Sequence, residues 1–186
     1  MKIITTITFI CLSIFSNAQD ASVEKSIFGI QTGFLGVWVH NESKLNNEFV
    51  LRSELGFDSG IWYNSFMDEE VAYLLTPVLT FEPRFYYNLN KRNSKSKVIT
   101  NNNGNFISIK TSYHPDWFVI SNYKDVSILS DISIIPTWGL RRNLGTHFSF
   151  ETGCGIGYSY LLTKEVSVSD KSGLAANIHL RIGYIF

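Results

Sequence analysis

Apolar and polar residues alternate with a period of two over most of this chain. The alternation is most informative between Gly173 and Phe186, where every even-numbered residue is apolar and the odd-numbered ones, except Ile185, are small or polar. Residues Thr146 to Leu161 repeat the pattern almost without interruption. A period of two places successive side chains on opposite faces of a β-strand. The pattern therefore predicts an all-β fold whose strands have one apolar and one polar face.

Seven such segments are recognisable along the chain. They run from about Ser26 to His40, Asn47 to Ile61, Val71 to Tyr87, Asn105 to Tyr113, Val126 to Leu140, Thr146 to Leu161 and Gly173 to Phe186. Most are longer than the ~5–6 residues of a typical strand. With ~3.3 Å per residue and a tilt of ~45°, a strand of about fourteen residues covers ~33 Å, which exceeds the ~25 Å apolar band of an outer-membrane barrel.

Charged residues fall on the polar faces of these segments. Both signs occur there, at Arg52, Glu54, Asp58, Glu82, Arg84, Lys110, Asp131, Glu151 and Arg181. The apolar faces carry essentially no charge, and an Arg or Lys facing lipid near the bilayer midplane would cost ~2–4 kcal/mol. This distribution favours a transmembrane barrel with its charged face inward. On the same inward face, Gly153, Gly155 and Gly157 would relieve crowding and allow sharp curvature.

The amino-terminal residues predict a secretory signal peptide. Lys2 precedes a short apolar run from Ile3 to Phe15, and Ser16-Asn17-Ala18 suits cleavage. We expect residues 1–18 to be this signal and residues 19–186 to form one outer-membrane β-barrel domain. Cys154 would then be the only cysteine of the mature chain, so no intramolecular disulfide is expected. The mature chain has no run of ~18 apolar residues, so no transmembrane helix is predicted.

The lengths of the connections predict which end of the barrel faces outward. Outer-membrane barrels have short periplasmic turns and longer external loops. The short connections are Asn41–Asn46 and Arg141–Gly145, and the longer ones are Trp62–Glu70, His114–Asp125 and Leu162–Ser172. We expect the longer group outside. The basic segment Asn88–Gly104 then lies on the periplasmic side, where we interpret it as a flexible, solvated turn.

A closed barrel of this kind requires one more strand than the seven recognisable segments. Bacterial single-chain barrels have even strand numbers, and Gln19–Lys25 is too short for another span. Either one strand is hidden in an atypical segment or one loop is assigned to the wrong side. We expect eight strands.

The chain resembles the small bacterial outer-membrane barrels related to OmpA and OmpX. The resemblance rests on the signal, the alternating strands, the run Tyr86-Tyr87-Asn88-Leu89-Asn90-Lys91-Arg92 and the final Tyr184-Ile185-Phe186. It covers nearly all of the mature chain, and it rests on pattern more than on motif. It implies an up-and-down antiparallel transmembrane barrel in the outer membrane of a Gram-negative envelope, with Phe186 recognised by the barrel assembly machinery.

Candidate chemistry is sparse. The histidines, none of them in a metal-binding spacing, are His40, His114, His147 and His179. Cys154 has no cysteine partner, so we expect no metal and no cofactor. The net charge of zero gives no argument for nucleic acid as a partner. If the last two strands pair, His179 and Arg181 lie beside Glu151 inside the barrel, where an interior salt-bridge network is expected.

Two alternatives concern function. A lipid-modifying barrel enzyme, acting on lipid A or phospholipid, could use Ser112, His114 and Asp116 as an acid–base group near the outer rim. Neighbouring loop residues rarely orient as a triad, so we expect no catalytic residues and no enzyme. A secreted, lipocalin-like binder would instead need its aromatic side chains to line one cavity. We expect a structural or surface-binding role, with outer-membrane lipid as a partner and any extracellular ligand held by the external loops.

Overall fold

The chain forms a closed antiparallel β-barrel of eight long strands in this computed structural model, which describes residues 21–34, 36–63, 71–122, 126, 128–163 and 171–186. The strands are β1 (Ser26–Gly33), β2 (Gly36–Lys44), β3 (Phe49–Tyr63), β4 (Val71–Phe85), β5 (Asn105–His114), β7 (Asp131–Leu144), β8 (Phe148–Leu161) and β9 (Ser172–Ile185). A two-residue strand, β6 (Ile120–Ser121), pairs with the end of β4. Pairing of β1 with β9 closes the barrel, and the predicted eight-stranded up-and-down fold is confirmed.

The eighth strand comes from the first predicted segment, which is a hairpin and not one strand. β1 and β2 pair along their full length, from Ser26 opposite Ser43 to Gly33 opposite Gly36. Gly36 has a φ of 147°, a conformation that favours glycine at the tight connection. The turn also shifts the alternation, so Phe28 is exposed whereas Trp38 is buried. A single strand from Ser26 to His40, as predicted, would have placed Phe28 and Trp38 on the same face, so this part of the prediction was wrong.

The two ends of the barrel differ in their connections. One end of the barrel, called here the loop end, contains the β1–β2 turn, residues 115–122 and 128–130, and the strand ends Tyr63, Val71, Leu161 and Ser172. The short turns 45–48 and 145–147 lie at the other end, called the turn end, together with the segment 86–104. The strand ends that flank the three longer connections therefore share one end of the barrel, as predicted. Residues 64–70, 123–125, 127 and 164–170 are outside the described part of the chain.

The outward face of the barrel is apolar. Leu174, Ile178 and Ile156 expose 76%, 75% and 72% of their surface. On the outward-facing positions of the described strands, Arg142 is the only charged residue, and it lies near the turn end with its guanidinium bonded to the Gly104 carbonyl. No helix among the described residues is long and apolar enough to cross a membrane.

The inward face carries a buried network of four arginines and four glutamates, called here the Arg–Glu network. Its members are Arg52, Arg84, Arg141, Arg181, Glu42, Glu54, Glu82 and Glu151. Glu42 accepts hydrogen bonds from Arg52, Arg84 and Arg141 at 3.1, 3.1 and 2.7 Å. The members come from six of the eight strands, so the network joins opposite walls of the barrel.

Glu151 and Arg181, which were expected to meet inside the barrel, are neighbours there, but their ion pairs are made mainly with other residues. Glu151 and Arg181 are register partners on β8 and β9. The Arg181 guanidinium, however, donates to Glu54 on β3 at 2.9 Å, while Glu151 accepts from Arg84 and Arg141. Interior ion pairs therefore run across the barrel as well as between neighbouring strands.

The segment 86–104 closes the turn end as a cap. It contains the helix α1 (Leu89–Asn93) and a 3₁₀ turn (Thr100–Asn102). A small apolar cluster attaches it to the barrel, formed by Ala21, Val23, Val50, Tyr86, Leu89 and Phe106. The Asn102 side-chain amide donates to Glu42 at 2.8 Å. Interpreting Asn88–Gly104 as a flexible, solvated turn was therefore wrong, because buried apolar anchors and a buried amide fix its position.

Tyr86 links the cap to the Arg–Glu network. Its ring packs against Phe106 with centroids 5.5 Å apart, and its hydroxyl lies 3.3 Å from Glu42 Oε2. Burial raises the pKa of Tyr86, so the hydroxyl stays neutral and donates to the carboxylate. The network thus ends against an apolar layer rather than against water.

Glu151→Ala tests the contribution of the network. Arg84 and Arg141 would each lose a buried carboxylate partner, and breaking a buried ion pair costs about 3–5 kcal/mol. We expect the free energy of unfolding to fall by that amount in a urea titration of the folded protein in detergent, followed by tryptophan fluorescence. Asp116→Ala, at an exposed acid, is the control and should change it by less than ~0.5 kcal/mol. Equal effects of the two substitutions would contradict the assignment.

Candidate functional site at the loop end

The loop-end half of the barrel holds a cavity of about 630 Å³. Several inward-facing positions of its wall carry short side chains, such as Ser112, Ser133 and Ala175, whereas the long side chains of the Arg–Glu network fill the interior nearer the turn end. The polar residues of its wall include Asp58, Lys110, Ser112, His114, Asp131, Ser133, Asn177 and His179. Phe34 and Ser59 line it near the loop end. We call this space the loop-end cavity.

His114 lies between two carboxylates that come from other strands. Its Nε2 is 3.1 Å from Asp58 Oδ2 on β3, in hydrogen-bond geometry. Its Nδ1 is 3.1 Å from Asp131 Oδ1 on β7, an ion-pair distance without hydrogen-bond alignment. A neutral imidazole has one N–H donor, so a neutral His114 could donate to Asp58 alone, and only the protonated ring could also donate toward Asp131. Trp38 Nε1 donates to the other oxygen of Asp58 at 2.7 Å.

Deeper in the cavity, nearer the Arg–Glu network, the wall carries amide and cationic groups. Lys110 Nζ lies 3.5 Å from Asn177 Oδ1, and the Asn177 amide contacts His179 Nδ1 at 3.2 Å. His179 Nε2 is 3.7 Å from Glu151 and has no hydrogen-bond partner among the described residues. The Arg181 guanidinium lies 3.9 Å from the centre of the Trp38 ring. The cavity therefore offers donors, acceptors and both signs of charge to a small polar ligand.

The acid–base group that sequence suggested is not assembled. Ser112 Oγ is hydrogen-bonded to Thr80 Oγ1 at 2.9 Å. Asp116 is exposed, and its backbone N–H donates to Ser130 Oγ. Within the described residues, no serine or threonine hydroxyl is hydrogen-bonded to His114. The carboxylates that do contact His114 are distant in sequence, and only the strand pairing brings them together.

The remaining histidines and the cysteine lie apart from one another. His40 is buried beside the Arg–Glu network, and neither ring nitrogen has a hydrogen-bond partner among the described residues. His147 stacks on Tyr184 at the turn end, with centroids 5.3 Å apart. Cys154 faces outward and is exposed. In the part of the chain that is described, no group of three His, Cys, Asp or Glu residues is placed to hold a metal ion.

Comparison with known proteins adds no family to this picture. No protein-family model, no curated protein and no solved structure matches the chain.

Access to the loop-end cavity can be tested with paired cysteine variants in a Cys154→Ser background. Ser133→Cys lines the cavity, whereas Ser149→Cys lies on the inward face near the turn end, where Ser149 is fully buried. We expect a charged thiol reagent to modify the first variant at least ~10-fold faster than the second in the folded protein. Both should react equally in urea. Equal rates in the folded protein would mean that the two halves of the barrel do not differ in access.

Proposed function

We propose that this protein spans the bacterial outer membrane and has a structural or surface-binding role without catalysis. The observation that carries the proposal is the inverted distribution of polarity, with apolar side chains exposed outward and the Arg–Glu network buried inside. Soluble monomers rarely expose contiguous apolar patches larger than a few hundred Å². A lipocalin-like binder would need the reverse arrangement, with the apolar face lining the interior, so the geometry favours lipid around this barrel.

Aromatic side chains support the same orientation in lipid. At the turn end, outward-facing rings contact one another in the pairs Phe28–Phe186, Phe148–Tyr184 and Phe49–Phe85. At the loop end, exposed outward-facing aromatics include Tyr73, Tyr158 and Tyr160. Two belts of this kind are typical of the aromatic girdles at the two membrane interfaces. Because short turns join the strands at the turn end and longer connections join them at the other, we infer that the turn end is periplasmic and the loop end external.

Surface binding is the role that the interior favours over transport. Arg52, Arg84 and Arg141 are fully buried in the turn-end half, and the cap lies below them. An eight-stranded barrel is just wide enough to be filled by side chains, so a diffusive pore is disfavoured. The space that remains is the loop-end cavity, which on this proposal opens toward the outside with the external loops around it.

Heat-modifiable migration tests the membrane assignment. We expect the protein in the outer-membrane fraction, with a compact unboiled band in detergent gels that shifts after boiling, because closed barrels resist detergent until heated. Recovery in the soluble fraction with no shift would contradict the proposal and would favour a soluble ligand-binding barrel. The Asp116→Ala protein, which leaves the barrel wall unchanged, should behave like the wild type.

The enzymatic alternative predicts a change in envelope lipids. Deleting the gene should leave the mass spectra of lipid A and phospholipids unchanged, because His114 has carboxylate partners and no bonded hydroxyl nucleophile among the described residues. A modified lipid species that disappears on deletion, and returns with the wild-type gene but not with His114→Gln, would contradict the non-catalytic role.

A further inference from the structure

A basic groove of about 410 Å³ lies at the turn end, beside the cap. It is lined by Tyr87, Asn88, Lys91, Arg92, Lys95, Lys97, Asn105 and Arg142. Five of these residues are cationic, and none is acidic. We call it the basic groove. Four of the positive side chains belong to the cap. The fifth is Arg142, the one charged residue on the outward-facing positions of the described strands.

The cations of the groove differ in what they contact. The Arg92 guanidinium donates to the Val98 carbonyl and to Asn103 at 2.9 Å each, and Arg142 donates to the Gly104 carbonyl at 2.9 Å. These two arginines therefore hold the cap in position. Lys91, Lys95 and Lys97 are exposed, and none of their ammonium groups has a hydrogen-bond or ion-pair partner among the described residues. Their charge is available to a ligand.

The groove adjoins the turn-end aromatic belt. Tyr87, which lines the groove, accepts a hydrogen bond at its hydroxyl from Trp138 Nε1 at 2.9 Å. Trp138 is an outward-facing residue of β7 with 43% of its surface exposed. Asn105 Nδ2 also donates to the Tyr87 hydroxyl, at 3.3 Å. The cationic side chains thus begin where the outward apolar surface ends.

We propose that the basic groove binds the headgroup of an anionic phospholipid in the periplasmic leaflet. The inference rests on the proposed function, because a barrel in lipid would place this groove at headgroup level. Basic clusters beside a membrane-facing aromatic belt attract anionic lipid, and each lysine near the surface strengthens binding by about fivefold. The Asn88 and Asn105 amides add hydrogen-bonding groups beside the charges. Acyl chains of the same lipid would lie along the exposed apolar wall.

Lipid selectivity of the folded protein tests this proposal. The detergent-folded protein is titrated with short-chain phosphatidylglycerol or phosphatidylcholine, and bound lipids are counted by native mass spectrometry. We expect the wild type to bind one phosphatidylglycerol at least ~10-fold more tightly than phosphatidylcholine, because both carry a phosphate and only the first has a net negative charge.

Two matched double variants locate the site. K91Q/K95Q removes two of the three unpartnered lysine charges of the groove and should weaken phosphatidylglycerol binding at least ~10-fold. K25Q/K44Q removes two exposed charges at the same end of the barrel, outside the groove, and should leave binding unchanged. Equal binding by the two variants, or equal affinity of the wild type for both lipids, would overturn the proposal.

Heat-modifiable migration of the same samples distinguishes a failure of headgroup binding from a failure of the membrane assignment on which it rests. Wild type and variants that shift on boiling, but show no preference for phosphatidylglycerol, would overturn headgroup binding alone and leave the membrane assignment standing. A wild-type protein that is soluble and does not shift would overturn both.

Discussion

The Arg–Glu network is the constraint on which the rest of the structure depends. A buried charge is costly unless a partner and additional hydrogen bonds compensate its lost hydration. Glu42, on β2, meets this condition only because β3, β4 and β7 each bring an arginine to it, so the charges are satisfied when the barrel is closed and in register. A one-residue slip of a strand would turn its charges outward and its apolar residues inward. The network therefore selects one register and one closed topology.

The same network divides the barrel into two halves with different chemistry. Long arginine and glutamate side chains fill the turn-end half, and the cap covers them with an apolar layer containing Tyr86 and Leu89. Above the network the inward residues become short, as at Ser133 and Ala175, and the loop-end cavity begins. Glu151 belongs to the network and also lies 3.7 Å from His179 in the cavity wall. The floor of the loop-end cavity therefore rests on the buried ion pairs of the network.

Sequence alone predicted what depends on local alternation and missed what depends on distant pairing. The faces of β8 and β9 were predicted correctly, because a period of two fixes side-chain direction within a strand. The β1–β2 hairpin was missed because apolar residues continue through the turn, although Gly33 and Gly36 and the change of phase after Phe34 signalled it. The cap was missed because its few apolar anchors are scattered among polar residues. His114 was selected, but its partners Asp58 and Asp131 follow from strand order and register, which no local pattern encodes.

The asymmetry between the two ends follows from these constraints. At the turn end the cap covers the Arg–Glu network, and exposed charges such as Lys91 and Lys95 lie on the outside of the cap beside the aromatic belt. At the loop end, by contrast, the strand residues Lys110 and Asp58 turn their charges into a cavity. A small polar ligand in this cavity would meet a wall of both charge signs. Recognition there depends on how a small polar molecule matches those groups, whereas recognition at the turn end depends on net charge at a surface.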